Sequence, residues 1–316
     1  MKLKNNNLFI NPQGLGDIAI PLKYFFINFL KQKKFFNYFI IQYSNQKDIL
    51  KYYNKTNINF LFSSKFYNFN YSNILEILNF RSTKFDNIFF DPNIKIYKAI
   101  LLSLLFRSKK KFYKQFLFYQ IFFSKSPKFM PSNKIEYYIK LNKYFFDKTQ
   151  PLNFSRIKKK TNIIGIAPGS GDLESHRRWN YMNYIKLINN LKINVDQIYL
   201  FGTEKKILEN ISKNIKYKCK IISYRNINKS LNFLSDINFL ITNDNGIANF
   251  AAIYNIKSYI LCGPSIPHSI KSLDNINIIT KKMSCSPCYP KLRLGCGNPK
   301  CLSELNHLAV LKKINQ

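Results

Sequence analysis

Four short segments of this 316-residue chain hold nearly all the side chains whose chemistry goes beyond packing. The first is Gly14-Leu15-Gly16-Asp17, between an apolar run and a helical pattern. Glycines let the backbone approach a ligand closely, and the N–H groups at a helix start attract anions. Ala19 stands where a full dinucleotide signature has its third glycine, so the signature is truncated. The carboxylate of Asp17 has two readings. It caps the helix, or, set in a cleft, it takes the proton of an acceptor hydroxyl as a general base.

The second segment runs from Pro168-Gly169-Ser170-Gly171 to Arg177-Arg178-Trp179. Backbone donors of a Gly/Ser loop together with two guanidinium groups suit a diphosphate, whereas an arginine pair on its own is an ordinary wet surface. The third is Asn243-Asp244-Asn245-Gly246, which opens the small-residue stretch Ala248-Asn249-Phe250-Ala251-Ala252. It reads as an Asx turn with a helix cap, or as a rim that sets Asp244 and the Gly246 backbone beside the same ligand. Gly263-Pro264-Ser265 extends that rim. The fourth is Cys285-x2-Cys288-x7-Cys296-x4-Cys301, two close pairs able to surround one zinc or iron ion. The alternative is a set of reduced, packed thiols, because a chain without an export signal is expected in a reducing compartment.

The elements that must position these segments alternate. Strand patterns fall at 7–11, 35–42, 57–62 and 85–91, with a helical face through Ile18, Ile20, Leu22, Phe25, Phe26 and Phe29. A polar stretch at 147–160 reads as a linker, after which strands at 162–167, 197–201, 237–242 and 258–262 alternate with helices at 180–191, 204–213 and 247–254. The expectation is an α/β chain of two Rossmann-like domains, 1–150 and 151–316, facing across a cleft at the C-terminal ends of their strands. Each of the first three segments then follows a strand, where ligands bind in open parallel sheets.

Composition bounds the partners. Fifty Lys and Arg against sixteen Asp and Glu give a formal net charge of +34, which calls for an anionic partner. The excess is mostly Lys among abundant Asn, Ile, Phe and Tyr, all A/T-rich codons, so genome composition accounts for part of it. At 46% apolar residues the chain is no disordered basic protein. No apolar run reaches the twenty or so residues that span a bilayer. The interleaved aromatic and basic stretch 97–129 reads either as an ordinary helix pair or as a basic amphipathic surface for an acidic membrane.

Taken together and in order, these motifs resemble the glycosyltransferase family that includes the lipopolysaccharide core heptosyltransferases. The resemblance is carried by Gly16-Asp17 with Pro21, Ala167-Pro168-Gly169-Ser170 with Arg177-Arg178-Trp179, and Phe201-Gly202-Thr203-Glu204. It continues through Asn243-Asp244-Asn245-Gly246 with Ala251-Ala252, and Gly263-Pro264-Ser265 with Pro267, covering residues 9 to about 305. It implies the GT-B arrangement and an inverting, metal-independent transfer from an ADP-sugar, with the acceptor on the N-terminal domain and the donor on the C-terminal one. It makes Asp17 the base, with Gly14 and Gly16 on the acceptor-side loop. The donor side comprises Gly169, Ser170, Gly171, Arg177, Arg178, Glu204, Asp244, Asn245, Gly246 and Asn249. Arg177 stands where the family usually has a phosphate-contacting Lys, Glu204 where an acidic residue lies near the ribose, and Asn249 where His is common. Many family members carry a Cys-x-Pro-Cys cluster, which implies a structural metal on Cys285, Cys288, Cys296 and Cys301. The expected partners are a nucleotide sugar and an anionic glycolipid or glycan, on the inner face of the cytoplasmic membrane, with no specific nucleic acid. Rival readings are a protein-directed transferase of the same fold and a non-catalytic basic protein that binds RNA or membrane.

Overall fold

The computed structural model describes residues 5–11, 14–32, 34–41, 44–53, 58–62, 83–113, 122–123, 134–147, 162–170, 172–223, 227–288, 296 and 299–316. The chain divides into two compact units, 1–153 and 154–316.

In the first unit, strands β1 (Asn5–Asn11), β2 (Phe35–Ile41), β3 (Ile58–Phe62), β4 (Phe85–Phe90) and β5 (Ser108–Phe112) form one sheet in the order β3-β2-β1-β4-β5. Every pairing is parallel. Aromatic side chains fix its register. Phe60, Phe39, Phe9, Phe89 and Phe112 are cross-strand partners, and their rings stack along the sheet with centroids 4.7–6.2 Å apart. A one-residue slip would turn this ladder to the other face, so the register is strongly specified.

Over the ladder lies a continuous helical stretch made of a 3₁₀ turn (Leu15–Ile18), an α-turn (Ala19–Pro21), a π-wound segment (Leu22–Phe26) and an α-segment (Ile27–Leu30). Phe25, Phe26 and Phe29 pack their edges onto Phe9, and the helix Lys134–Phe146 covers them from outside through Tyr138 and Phe145. Pro21 has no N–H, so the Asp17 carbonyl four residues earlier loses its intrahelical donor. The other sheet face packs Leu8, Ile10, Ile88 and Phe90 against the helix Ile96–Leu105.

In the second unit, β6 (Ile163–Ala167), β7 (Gln197–Gly202), β8 (Cys219–Ser223), β9 (Phe239–Asn243), β10 (Lys257–Cys262) and β11 (Ile276–Thr280) form a parallel sheet in the order β11-β10-β9-β6-β7-β8. Helices Tyr181–Asn189, Lys205–Asn214, Ile227–Leu234 and Gly246–Ile253 alternate with the strands, and Lys300–Ser303 and His307–Ile314 close the chain. Its core is mainly aliphatic, from Ile164, Leu200, Ile241 and Leu261 to Val310 and Leu311, with Trp179 and Tyr184 buried among them.

The alternating pattern thus yields two parallel sheets, as expected from sequence. One stretch differs from the paired-helix reading: residues 96–105 are helical, but 108–112 form edge strand β5. Residues 114–121 and 124–133 of that basic aromatic segment lie outside the described residues.

Each sheet changes winding direction once. In the first the chain reverses between β1 and β4, and in the second between β6 and β9. The crevice beyond the strand ends at such a switch point is where open α/β sheets bind ligands.

Candidate functional site

Two polar clusters occupy these switch points. In the first unit, Gly14 starts the 3₁₀ turn and Asp17 sits inside it, its N–H donating to the Gly14 carbonyl at 3.0 Å. The Asp17 carboxylate in turn accepts from the Gly14 backbone, the reciprocal half of a capping box. Capping therefore uses part of the carboxylate and leaves the rest. The Asp17 side chain is 39% exposed, and Gly16 beside it is buried.

Beneath Asp17 lies Lys134, the first residue of its helix, with a side chain only 2% exposed. Its ammonium contacts Asp17 Oδ1 at 3.5 Å, donates to the Asp17 carbonyl oxygen at 3.0 Å and pairs with Asp91 Oδ2 at 2.9 Å. Asp91, just after β4, is fully buried. Its Oδ2 also accepts from Tyr138 at 2.9 Å, and its Oδ1 from the Asn93 N–H at 2.9 Å. Lys134 thus supplies a donor to the carbonyl that can receive none from Pro21. Burial raises the Asp17 carboxyl above its ordinary value, and Lys134 opposes this without cancelling it. Burial would lower Lys134, but Asp91 and then Asp17 more than offset that and hold it above the ordinary lysine value.

Sequence reasoning finds Asp17 and misses both Lys134 and Asp91. One Lys among so many carries no signal, and Asp91 reads as a strand end before Pro92. The available clue is Pro21, four residues after Asp17, which requires an external donor for one carbonyl.

In the second unit, the loops after β6 and β9 interlock. Asn243 Nδ2 donates to the Pro168 carbonyl at 2.5 Å, and its Oδ1 accepts from the Trp179 N–H and the Tyr184 hydroxyl. Asn245 Nδ2 donates to the Gly169 carbonyl at 2.9 Å, while its Oδ1 caps the helix Gly246–Ile253 by accepting from Ala248 N–H. Glu204, after β7, accepts from the Ser170 and Thr203 N–H groups and pairs with Arg178 at 3.2 Å. A Cβ on Gly169 would sit 2.3 Å from that carboxylate, so a larger residue there would push the Glu204 side chain aside. Arg178 also donates to the Ser170 hydroxyl and carbonyl, both at 3.1 Å. Arg177 bridges Glu174 at 2.6 Å and Asp244 at 3.3 Å, and Ser265 donates to the same Asp244 oxygen at 2.6 Å.

The structure therefore brings together Gly169, Ser170, Arg177, Arg178, Glu204, Asp244 and Asn245, with Gly246 opening the next helix. Asn249 lies half-buried three residues along that helix. Gly171 lies outside the described residues. Both arginines are engaged by acids rather than open, a feature the motif alone does not reveal. An anion entering here exchanges with carboxylates for the guanidinium groups.

The four C-terminal cysteines all carry free thiols. Cys285 and Cys296 are exposed, Cys288 is half-buried and Cys301 buried. Burial raises the Cys301 thiol, and Cys288, Cys285 and Cys296 add to the rise, so those three lie within electrostatic reach of Cys301. Among the described residues, however, no group of three or more His, Cys, Asp or Glu side chains is gathered as a metal ion requires. The Cys285–Cys288 segment docks on the β10 rim, with Ser286 Oγ donating to the Gly263 carbonyl and Cys288 N–H to the Pro264 carbonyl.

Residues 116–296 match the family model described as glycosyltransferase family 9 (heptosyltransferase). A lipooligosaccharide heptosyltransferase 2 of Campylobacter jejuni is 23% identical over 172 residues, 51% of this chain and 52% of that protein. The chain thus spans about half the length of this curated relative. Among solved structures, E. coli heptosyltransferase WaaC with ADP superposes with a TM-score of 0.71, 13% identity and coverage of 98% of this chain and 99% of that one. The E. coli ADP-heptose LPS heptosyltransferase II gives 0.63, 15% identity and coverage of 98% and 97%. At these identities the superpositions establish the fold: an α/β chain with two parallel sheets, as in those heptosyltransferases.

Proposed function

The chain belongs to glycosyltransferase family 9, and from that premise we propose that it moves heptose from an ADP donor to a lipooligosaccharide core or related surface acceptor. The observation that carries this reading is Asp17, a carboxylate at the first switch point that keeps an exposed face while buried partners hold it from below. In the proposed step the acceptor oxygen attacks the anomeric carbon from the face opposite the diphosphate, which inverts the configuration. Asp17 takes the hydroxyl proton. The new carbon–oxygen bond forms as the bond to the diphosphate breaks, and its electron pair leaves with the ADP. Arg177, Arg178 and the N–H groups around Ser170 then meet the developing charge, where stabilisation contributes most to rate. Asp244 and Gly246 orient the sugar or diphosphate, Glu204 supports the Gly169-Ser170 loop beside the nucleoside, and Asn249 offers a neutral hydrogen bond.

The test is mass-detected transfer from ADP-heptose to a truncated lipooligosaccharide. Asp17→Asn is expected to lower kcat by about 10²–10⁴-fold with ADP binding intact. Near-normal turnover would remove Asp17 as the base. Transfer to a protein but not to the glycolipid would select the protein-directed alternative. ADP binding that saturates and survives moderate salt separates an enzyme from a purely electrostatic RNA or membrane binder, whose affinity falls steeply with salt.

The acceptor also brings a lipid surface into the proposal. Among the described residues no helix is long and apolar enough to cross a membrane. The helix Ile96–Leu105 nevertheless presents Tyr97, Leu101 and Leu104 to solvent, at 57%, 38% and 65% exposure. These positions share one face, and exposed Lys95 and Arg107 border the helix in sequence. An apolar stripe between cations suits the headgroup region of an anionic bilayer. Co-sedimentation with phosphatidylglycerol vesicles is expected to weaken on replacing all three apolar residues by Ser. Equal binding by both proteins would remove this surface.

For the four cysteines the proposal is a structural zinc or iron site with no part in transfer. It requires the four sulfurs to close around one ion. Elemental analysis of reduced, purified protein decides this, and a metal content near zero would leave them as packed thiols.

A further inference from the structure

Catalysis at Asp17 needs two opposed properties. The carboxylate must be ionised to accept a proton, yet basic enough to want it. A buried carboxylate alone stays protonated, and one paired only with a cation is a weak base. The cluster at the first switch point combines both influences. Asp91 faces Lys134 at 2.9 Å, and Lys134 faces Asp17 at 3.5 Å.

We propose that Lys134 is a positioning residue for Asp17, holding the carboxylate in place and ionised while Asp91 takes up most of the lysine's charge. This deepens the reading of Asp17 as the base and rests on it. With Asp17 ionised, the cluster holds one cation and two anions. Once Asp17 has taken the acceptor proton, the buried remainder is a neutral Lys134–Asp91 pair. Proton uptake thus removes the excess negative charge of the cluster, whose Lys134 and Asp91 members are sealed from water, and that gives Asp17 its pull.

The geometry exceeds what a structural ion pair needs. Asp91 alone would neutralise Lys134. The lysine also donates to the Asp17 carbonyl at 3.0 Å, the group that Pro21 leaves without a helical donor. Main chain and side chain of the same residue are therefore fixed by one ammonium, which sets both where Asp17 stands and which way it points. Among the described residues the neutral polar groups around the cluster include three phenols, and Gln46 donates to the Gly14 carbonyl at 3.3 Å. Tyr138 donates to Asp91, Tyr137 to the Phe90 carbonyl and Tyr113 to the Ile94 carbonyl. Burial holds all three tyrosines above their ordinary values, so they stay neutral donors. From the Asp17 side the further contributor is the Gly14 backbone. Lys134, Asp91 and Asp17 are thus the charged groups at this point among the described residues.

The two partners push Asp17 in opposite directions, Lys134 more strongly than Asp91, and this yields a signed test. The transfer assay is run across pH on the wild type, Asp91→Asn and the double variant Lys134→Met/Asp91→Asn. The double variant removes both members of the buried pair and so leaves no lone charge beneath Asp17. In Asp91→Asn the acid limb of kcat is expected to move to lower pH, with a weaker base and a lower plateau. In the double variant it is expected to move to higher pH, with kcat on the plateau reduced roughly tenfold and KM for the donor unchanged. A merely structural lysine would not displace the two limbs oppositely. Wild-type limbs in both variants would overturn the proposal, and should the double variant fail to fold, an unshifted limb in Asp91→Asn overturns it alone. Asp17→Asn separates the layers. If that variant turns over normally, the base itself is misassigned. If it is inactive while the limbs stay fixed, only the role of Lys134 falls.

Discussion

The polar clusters at the two switch points use similar charges at different depths. In the first unit Lys134 and Asp91 are 2% and 0% exposed, sealed under the helical stretch that carries Asp17. In the second, Arg177 and Arg178 are 15% and 22% exposed and meet Glu174, Asp244 and Glu204 at the rim. Taking charges fully out of water is expensive, so a deep pair must keep its partners. A shallow cluster with several acids can exchange one carboxylate for another anion at modest cost. Depth therefore separates a cluster suited to holding one group still from a cluster suited to receiving and releasing a ligand.

The sharpest way to break this contrast is to remove one partner from each. Lys134→Met takes the facing cation away from the buried Asp91 carboxylate and is expected to cost about 3–5 kcal/mol in denaturant unfolding. Adding Asp91→Asn is expected to recover much of that loss. A single variant as stable as wild type would show that the first cluster is not sealed.

Gly169→Ala comes next. Its Cβ would displace the Glu204 carboxylate and with it the bonds to Ser170, Thr203 and Arg178. The expected loss is about 1–3 kcal/mol, together with weaker ADP binding by calorimetry. Unchanged ADP affinity would detach this loop from the donor. Arg178→Met should cost only about 1 kcal/mol of stability, since the pair is partly solvated, while ADP affinity still falls. A loss as large as that of Lys134→Met would erase the distinction in depth.

The smallest effect is on pH dependence. A carboxyl raised by burial stabilises the fold while protonated, and that contribution fades as pH rises through its folded value. Asp17→Asn is thus expected to melt no lower than wild type at neutral pH, with the two melting temperatures converging at acidic pH. A variant that melts lower at neutral pH would mean that the ionised Asp17–Lys134 contact outweighs burial.

How legible all this is differs between the two units. The loops after β6 and β9 announce themselves, because Gly, Ser, Asn and Asp at strand ends are locally costly unless the backbone or a ligand needs them. Their partners were harder to see: the acids that engage Arg177 and Arg178 lie 3 to 67 residues away in sequence. Strand β8 was missed because a partly exposed edge strand alternating Cys, Lys, Ile and Ser lacks a buried apolar run. Strand β5 falls within the stretch that reads as a helix pair or a basic amphipathic surface, because Ser108-Lys109-Lys110-Lys111 has no strand signature of its own. The phenylalanine ladder over five strands follows from register, which one strand cannot reveal.

By itself the sequence determined the alternation of strands and helices, the two parallel sheets and the strand-end loops that carry the motifs. These follow from local periodicity and from the few residue types that tolerate tight turns. Only the tertiary structure decided that Lys134, 117 residues from Asp17, is the lysine placed beneath it. Many lysines carry the same charge, and burial beside a carbonyl stripped of its helical donor is what sets this one apart.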